Sequence, residues 1–117
     1  MSYVDGFVIP VPTENKEAYR ELAEVAAPIF RQHGALSVVE CWGDDVPDGK
    51  LTSFPMAVGL KSNETVVFSW IIWPSRQARD AGMEKVMVDP RLKPYENNMP
   101  FDGKRMIFGS FETLLEV

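Results

Sequence analysis

Two carboxylates in this chain stand where a charge is expensive. Asp5 lies in Tyr3-Val4-Asp5-Gly6-Phe7-Val8, and Glu40 in Leu36-Ser37-Val38-Val39-Glu40-Cys41-Trp42. Each run reads as a β-strand, and a carboxylate among apolar strand residues is costly unless it is paired, hydrogen-bonded or open to a wet cavity. The chemistry on offer is proton transfer, because burial raises a carboxyl pKa and a carboxyl so tuned serves as a general acid or base. A plainer reading is a structural ion pair near a strand end, with Lys104 or Arg105 as the partner. Arg105 has two uses of its own: to clamp an anionic ligand with its planar fork, or to pair with a carboxylate. Trp42 and Trp70 would supply aromatic walls. Asp5, Glu40, Trp42, Trp70 and Arg105 therefore form the candidate pocket, a few polar groups in a mainly apolar lining, all carried by expected strands. Glu40 and Trp42 share a strand face; their side relative to Asp5 or Trp70 depends on the register. No residue is assigned a catalytic role.

Other reactive side chains carry less. His33, the one histidine, falls at the end of an expected helix. It would serve as a base or haem ligand, or more plainly as a cation at a helix C-terminus. One histidine per chain rules out a His-rich zinc site within it. Asp44, Asp45 and Asp48 invite a calcium reading, yet counting from Asp44 the third position is Val46 and the twelfth Pro55, so the EF-hand pattern fails. Cys41 sits between Glu40 and Trp42, an acidic and apolar setting that raises a thiol pKa and disfavours a nucleophile. With no Gly-rich phosphate loop, nucleophile elbow or Cys-x-x-Cys pair, neither cofactor nor metal is expected.

Composition narrows the partners. The 117 residues carry 12 basic and 17 acidic side chains, a net charge of −5. A sequence-independent nucleic-acid binder needs a basic footprint, and so does a protein docking on an anionic membrane. Neither partner is expected. A single cysteine permits no intrachain disulfide and suits the cytoplasm. The opening Met1–Gly6 has no basic, apolar leader pattern, and the longest apolar run, Val66–Trp73, is too short to span a bilayer as a helix. One domain over residues 1–117 is expected.

The elements that must position these residues emerge from periodicity. A first strand covers Tyr3–Val11, ended by Pro10 and Pro12. Thr13 caps a helix from Glu14 to His33 with the stripe Tyr19, Leu22, Ala26, Ile29 and Phe30, a bend at Pro28 and a stop at Gly34. Leu36–Trp42 is the second strand. Over residues 51–60, a short helix around Phe54–Val58 capped by Thr52 or Ser53 competes with a strand over Met56–Leu60; Phe54-Pro55 is a poor strand interior and favours the helix. Thr65–Trp73 is the third strand, Ser75 caps a helix from Arg76 to Val88, and Asp89-Pro90 starts a further helical turn. Arg105–Glu112 is the fourth strand. The order is βαβ-βαβ, an α+β ferredoxin-like unit with an antiparallel four-stranded sheet, strands one and three central. Gly6–Val11 and Val66–Trp73 are apolar at both parities, so both faces of the centre need cover. Two helices cover one face; a second copy of the chain is expected on the other.

Tyr3–Val8, Glu40-Cys41-Trp42, Asp45–Gly49, Val66–Ile71, Asp89-Pro90-Arg91 and Met99–Met106, in this order and spacing, resemble the YbaA-like family of small bacterial proteins. The resemblance covers nearly the whole chain. It implies the dimeric α+β barrel fold, a superfamily that includes cofactor-free monooxygenases, haem-degrading enzymes, isomerases and ligand-sensing domains. It supplies no catalytic residue. The function expected on this scaffold is small-molecule binding in a homodimer, with cofactor-free oxygenase or isomerase activity. The alternative is a non-enzymatic ligand-binding or partner-binding module.

Overall fold

The computed structural model describes residues 2–117. Strands β1 (Tyr3–Pro12), β2 (Ser37–Trp42), β3 (Glu64–Trp73) and β4 (Ile107–Glu112) form one antiparallel sheet in the order β2-β3-β1-β4. The two doubly apolar runs are the central strands, as their pattern requires. Helices α1 (Lys16–Gln32) and α3 (Arg76–Met87) make the two crossovers, and the single turn α2 (Phe54–Ala57) interrupts the connection from β2 to β3. The fold is therefore α+β and ferredoxin-like.

Local sequence explains most boundaries. Ser53 Oγ accepts the Met56 N–H at 3.1 Å and Ser75 Oγ accepts the Ala78 N–H at 3.1 Å, so both short-range caps form. Asp89 caps a 3-10 helix over Pro90–Tyr95 in the same way, its Oδ1 taking the Arg91 N–H at 3.0 Å. Thr13 does not cap α1. Its hydroxyl is spent on the Thr65 hydroxyl at 2.7 Å, and the chain enters α1 through a 3-10 turn at Thr13–Asn15. β1 also runs through both of its prolines to Pro12. Beyond Val8 it has β3 alone as a ladder partner, an edge setting in which proline is tolerated. β4 starts at Ile107 instead of Arg105 because Asp102–Arg105 closes a turn, with Lys104 N–H on Asp102 Oδ1 at 3.0 Å.

Register places the side chains. Tyr3, Asp5, Phe7 and Ile9 of β1 face the same way as Val67, Ser69, Ile71 and Trp73 of β3 and Val38, Glu40 and Trp42 of β2. This face lies under the long helices. Trp73 is fully buried there with Tyr3, Ala35 and Ile71, its ring edge-on to Phe30 with centroids 6.3 Å apart. α3 reaches this cluster only because position 82 is glycine. A Cβ on Gly82 would stand inside contact distance of the His33 carbonyl oxygen and the Trp73 ring. Gly82→Ala is therefore expected to lower stability by about 1–3 kcal/mol through overpacking, measured by urea unfolding. An unchanged midpoint would mean that α3 can withdraw from Trp73 freely.

The opposite face is less covered. The β2–β3 connection folds Val58, Val46 and Leu60 over Val8 and Val66, and Phe54 of α2 stands edge-on to Phe68. Beyond that end the sheet presents Phe68, Trp70, Ile72, Ile107 and Phe111, with Phe68 44% and Phe111 62% exposed. Trp70 therefore points away from the helices. It is three residues from Trp73, an odd step, and odd steps change face in a strand.

Candidate functional site

Between the sheet and its helices lies a cleft of about 310 Å³. This is at the small end for small-molecule sites, which run from roughly 300 to 1,000 Å³. Its floor is Phe7, Ile9, Ser69, Ile71 and Glu40; α1 contributes Tyr19, Leu22, Ala26 and Phe30. The end of α3 adds Val86 and Met87, and the segment after it adds Leu92, Tyr95, Glu96, Met99, Phe101 and Met106. The α1 stripe read from the sequence is thus only partly a core stripe. Tyr19 and Ile29 are buried, while four of its five members, Tyr19 among them, wall a hollow.

The polar floor is one cluster. Tyr19 Oη donates to Glu40 Oε1 at 2.6 Å, and Ser69 stands directly across the ladder from Glu40, on the same face of the sheet. Glu40 is an exposed residue of the edge strand β2, although protein atoms gather round its carboxyl. Loss of hydration raises its pKa, against the lowering effect of the Tyr19 hydrogen bond and the nearby Ser69 hydroxyl. Tyr19 is pushed up as well, first by burial and then by the Glu40 charge, so its hydroxyl stays a donor. A carboxyl that accepts a hydrogen bond from a phenol and faces an apolar hollow can hold, give or take a proton at that spot.

The other candidate residues fall elsewhere. Asp5 shares the helix face with Glu40 but lies outside the cleft, two strands away. Its carboxylate accepts Trp73 Nε1–H at 3.0 Å and the Ser110 hydroxyl at 2.5 Å, and Arg79 Nε stands 3.9 Å away. Its partners are neither Lys104 nor Arg105. This buried network ties β1, β3, β4 and α3 together, the structural role of a charge. Trp42 is on the same face as Glu40 and packs under Lys16, whose Nζ is 5.4 Å from the ring centre. It lines a smaller hollow of about 150 Å³ that shares Tyr19, Ala23 and Glu40 with the cleft, so it is a neighbour of the cleft and not a wall. Trp70 is on the far face. Arg105 is saturated: its Nη atoms reach Glu64 at 2.9 and 2.6 Å, its Nε reaches Asp102 at 2.8 Å, and Nη1 also meets the Val58 and Gly59 carbonyls. Those hydrogen bonds hold the Glu64 and Asp102 pKa values below the ordinary carboxylate range and leave no fork for a ligand.

His33 has a partner. Its Nε2 is 3.2 Å from Asp89, which Arg91 also holds. The set thus reduces to Glu40, joined by Tyr19 and Ser69. Ser69 was visible in the sequence as the one polar side chain inside Val66–Trp73.

A protein-family model described as "Protein of unknown function (DUF1428)" matches residues 2–103. The chain belongs to this family. "Uncharacterized protein YbaA" of Escherichia coli strain K12, similar to this chain over 116 residues, is 59% identical and is covered over 99% of each sequence. Among solved structures, an uncharacterized NIPSNAP domain protein from Burkholderia xenovorans is similar, with a TM-score of 0.62 at 14% identity, covering 95% of this chain and 93% of that one. Another is described as "Putative antibiotic biosynthesis monooxygenase from Nitrosomonas europaea", with a TM-score of 0.60 at 13% identity over 97% of this chain and 90% of that one. At these identities the DUF1428 chain shares a fold with them, and chemistry is not carried across.

Proposed function

We propose that this protein binds a mainly apolar small molecule in the cleft and transfers a proton to or from it at Glu40. The carrying observation is the Glu40–Tyr19 hydrogen bond, with Ser69 beside it, on the floor of a mainly apolar cleft. Tyr19 orients the carboxyl through its hydrogen bond, and the apolar wall receives the body of the ligand. The similar structures, one of them described as a monooxygenase, support chemistry of the cofactor-free oxygenase or isomerase kind on this scaffold. The protein works as a homodimer joined through the uncovered sheet face, in a reducing compartment such as the cytoplasm.

Methionine methyl resonances test the binding. In protein labelled with [methyl-13C]methionine and titrated with 2-tetralone, an apolar enolisable ketone, Met87, Met99 and Met106 are expected to shift together while Met56, outside the cleft, stays still. No movement at the three cleft methionines removes the binding reading for this ligand class. Hydrogen exchange from D2O into the ketone, followed by mass spectrometry, tests the chemistry. Exchange needs the carboxylate form, so its rate is expected to rise with pH as Glu40 deprotonates, above the ordinary carboxyl range. Glu40→Gln is expected to lower that rate by about 10²-fold with binding retained. Binding without Glu40-dependent exchange would leave the second reading, a non-enzymatic ligand-binding module, which the mainly apolar wall favours.

A further inference from the structure

Leu92–Met99 spans one side of the cleft and contributes Leu92, Tyr95, Glu96 and Met99 to its wall. Among the described residues, no hydrogen bond or ion pair joins this stretch to anything outside residues 89–99. Its own bonds are local turns, such as Glu96 N–H to the Lys93 carbonyl and Asn98 N–H to the Tyr95 carbonyl, both at 3.2 Å. The chain on either side is held hard. Before it, Asp89 binds His33 and both Nε and Nη2 of Arg91, and Arg91 Nη2 also reaches Gln32 Oε1 at 2.9 Å. After it, Asn15 Nδ2 donates to the Pro100 carbonyl at 3.1 Å, Phe101 sits edge-on to Tyr19, and Arg105 fastens Asp102 to Glu64.

We infer that Leu92–Met99 is a lid that swings as a unit between an ionic anchor at Asp89–Arg91 and a second anchor at Pro100–Arg105, opening the cleft to its ligand. The contrast in fastening carries this: apolar contacts alone hold the middle, and such segments open at low cost while hydrogen-bonded flanks stay closed. Pro94 stiffens the moving part and Pro100 bounds it. Motions of this kind fall in the microsecond to millisecond range and gate many sites. As a gate to the cleft, the lid rests on the proposed function; its motion in the free protein does not.

Spin labels measure the motion. Asn97→Cys and Glu21→Cys, on the lid and on α1, are paired in a Cys41→Ser background, with unlabelled protein added to suppress distances between copies. Double electron–electron resonance is expected to give two distances, the shorter matching the closed structure. Asp89→Asn, which weakens the first anchor, is expected to raise the long-distance fraction several-fold, and 2-tetralone to reduce it. A control pair, Lys104→Cys with Glu21→Cys, is expected to give one narrow distance in every sample. A single Asn97–Glu21 distance that Asp89→Asn leaves unchanged would overturn the lid, whatever binds in the cleft. Two distances responding to Asp89→Asn but not to 2-tetralone, with still methionine methyls, would keep the moving segment and remove the binding reading and the gate that rests on it.

Discussion

Replacement of Trp73 by alanine is expected to lower stability by about 3–5 kcal/mol, the range for deleting a fully buried large aromatic. The indole meets Phe30, Tyr3, Ala35 and Ile71 and leaves no surface exposed. Its Nε1–H is also one of the donors to the buried Asp5 carboxylate. The alanine variant therefore opens a cavity and strips a hydrogen bond from a buried charge at once. Urea denaturation measures the loss, and Trp73→Phe separates the two parts, since it keeps most of the ring volume and removes the donor. Trp70→Ala, on the other face, is expected to cost the isolated subunit less. Equal losses for Trp73→Ala and Trp70→Ala in the isolated subunit would contradict the assignment of faces.

If the proposed homodimer uses the uncovered sheet face, a charge placed there is expected to separate its subunits. Phe68 is 44% exposed in the single chain, and a change at an exposed position usually alters stability by less than about 0.5 kcal/mol. In a homodimer built on this face, Phe68→Glu would instead bury a carboxylate against apolar side chains, a cost that dissociation avoids. Patches of this kind, with Trp70, Ile107 and Phe111 beside Phe68, mark interfaces. Light scattering is expected to show a dimer for the wild type and a monomer for Phe68→Glu. A wild-type monomer at micromolar concentration would remove the dimer from the proposed function.

The fold was legible because its signals are local or periodic. Ser53, Ser75 and Asp89 each cap the helical turn next to them wherever the chain then goes, and Val66–Trp73 shows its central place by being apolar at both parities. Thr13 was misread because its hydroxyl has a distant competitor, Thr65, which only the folded sheet brings near. Of the five candidate residues, Glu40 lines the cleft and the other four do not. Glu40 could be singled out as a carboxylate inside a strand, but so could Asp5, and their difference lies in what surrounds them. Trp73, Ser110 and Arg79 converge on Asp5 from three elements, whereas Glu40 meets Tyr19 and Ser69 at the edge of a hollow. Arg105 looks like a free guanidinium in the sequence, but Glu64, 41 residues earlier, claims it in the fold. Trp70 failed on parity, which no composition reveals.

The pairing of β1 with β4 sets an order of events on the ribosome. β1 emerges first, yet one of its two neighbours is the last strand to be made, and Thr113 N–H closes on the Ser2 carbonyl at 3.2 Å. Until β4 has left the ribosome, the growing chain carries β1 with one edge bare, and Asp5 waits for Ser110. Domains tend to fold as units, and strands joined across such sequence distance come together late. Nascent chains stalled a few residues short would thus be the ones that need a chaperone.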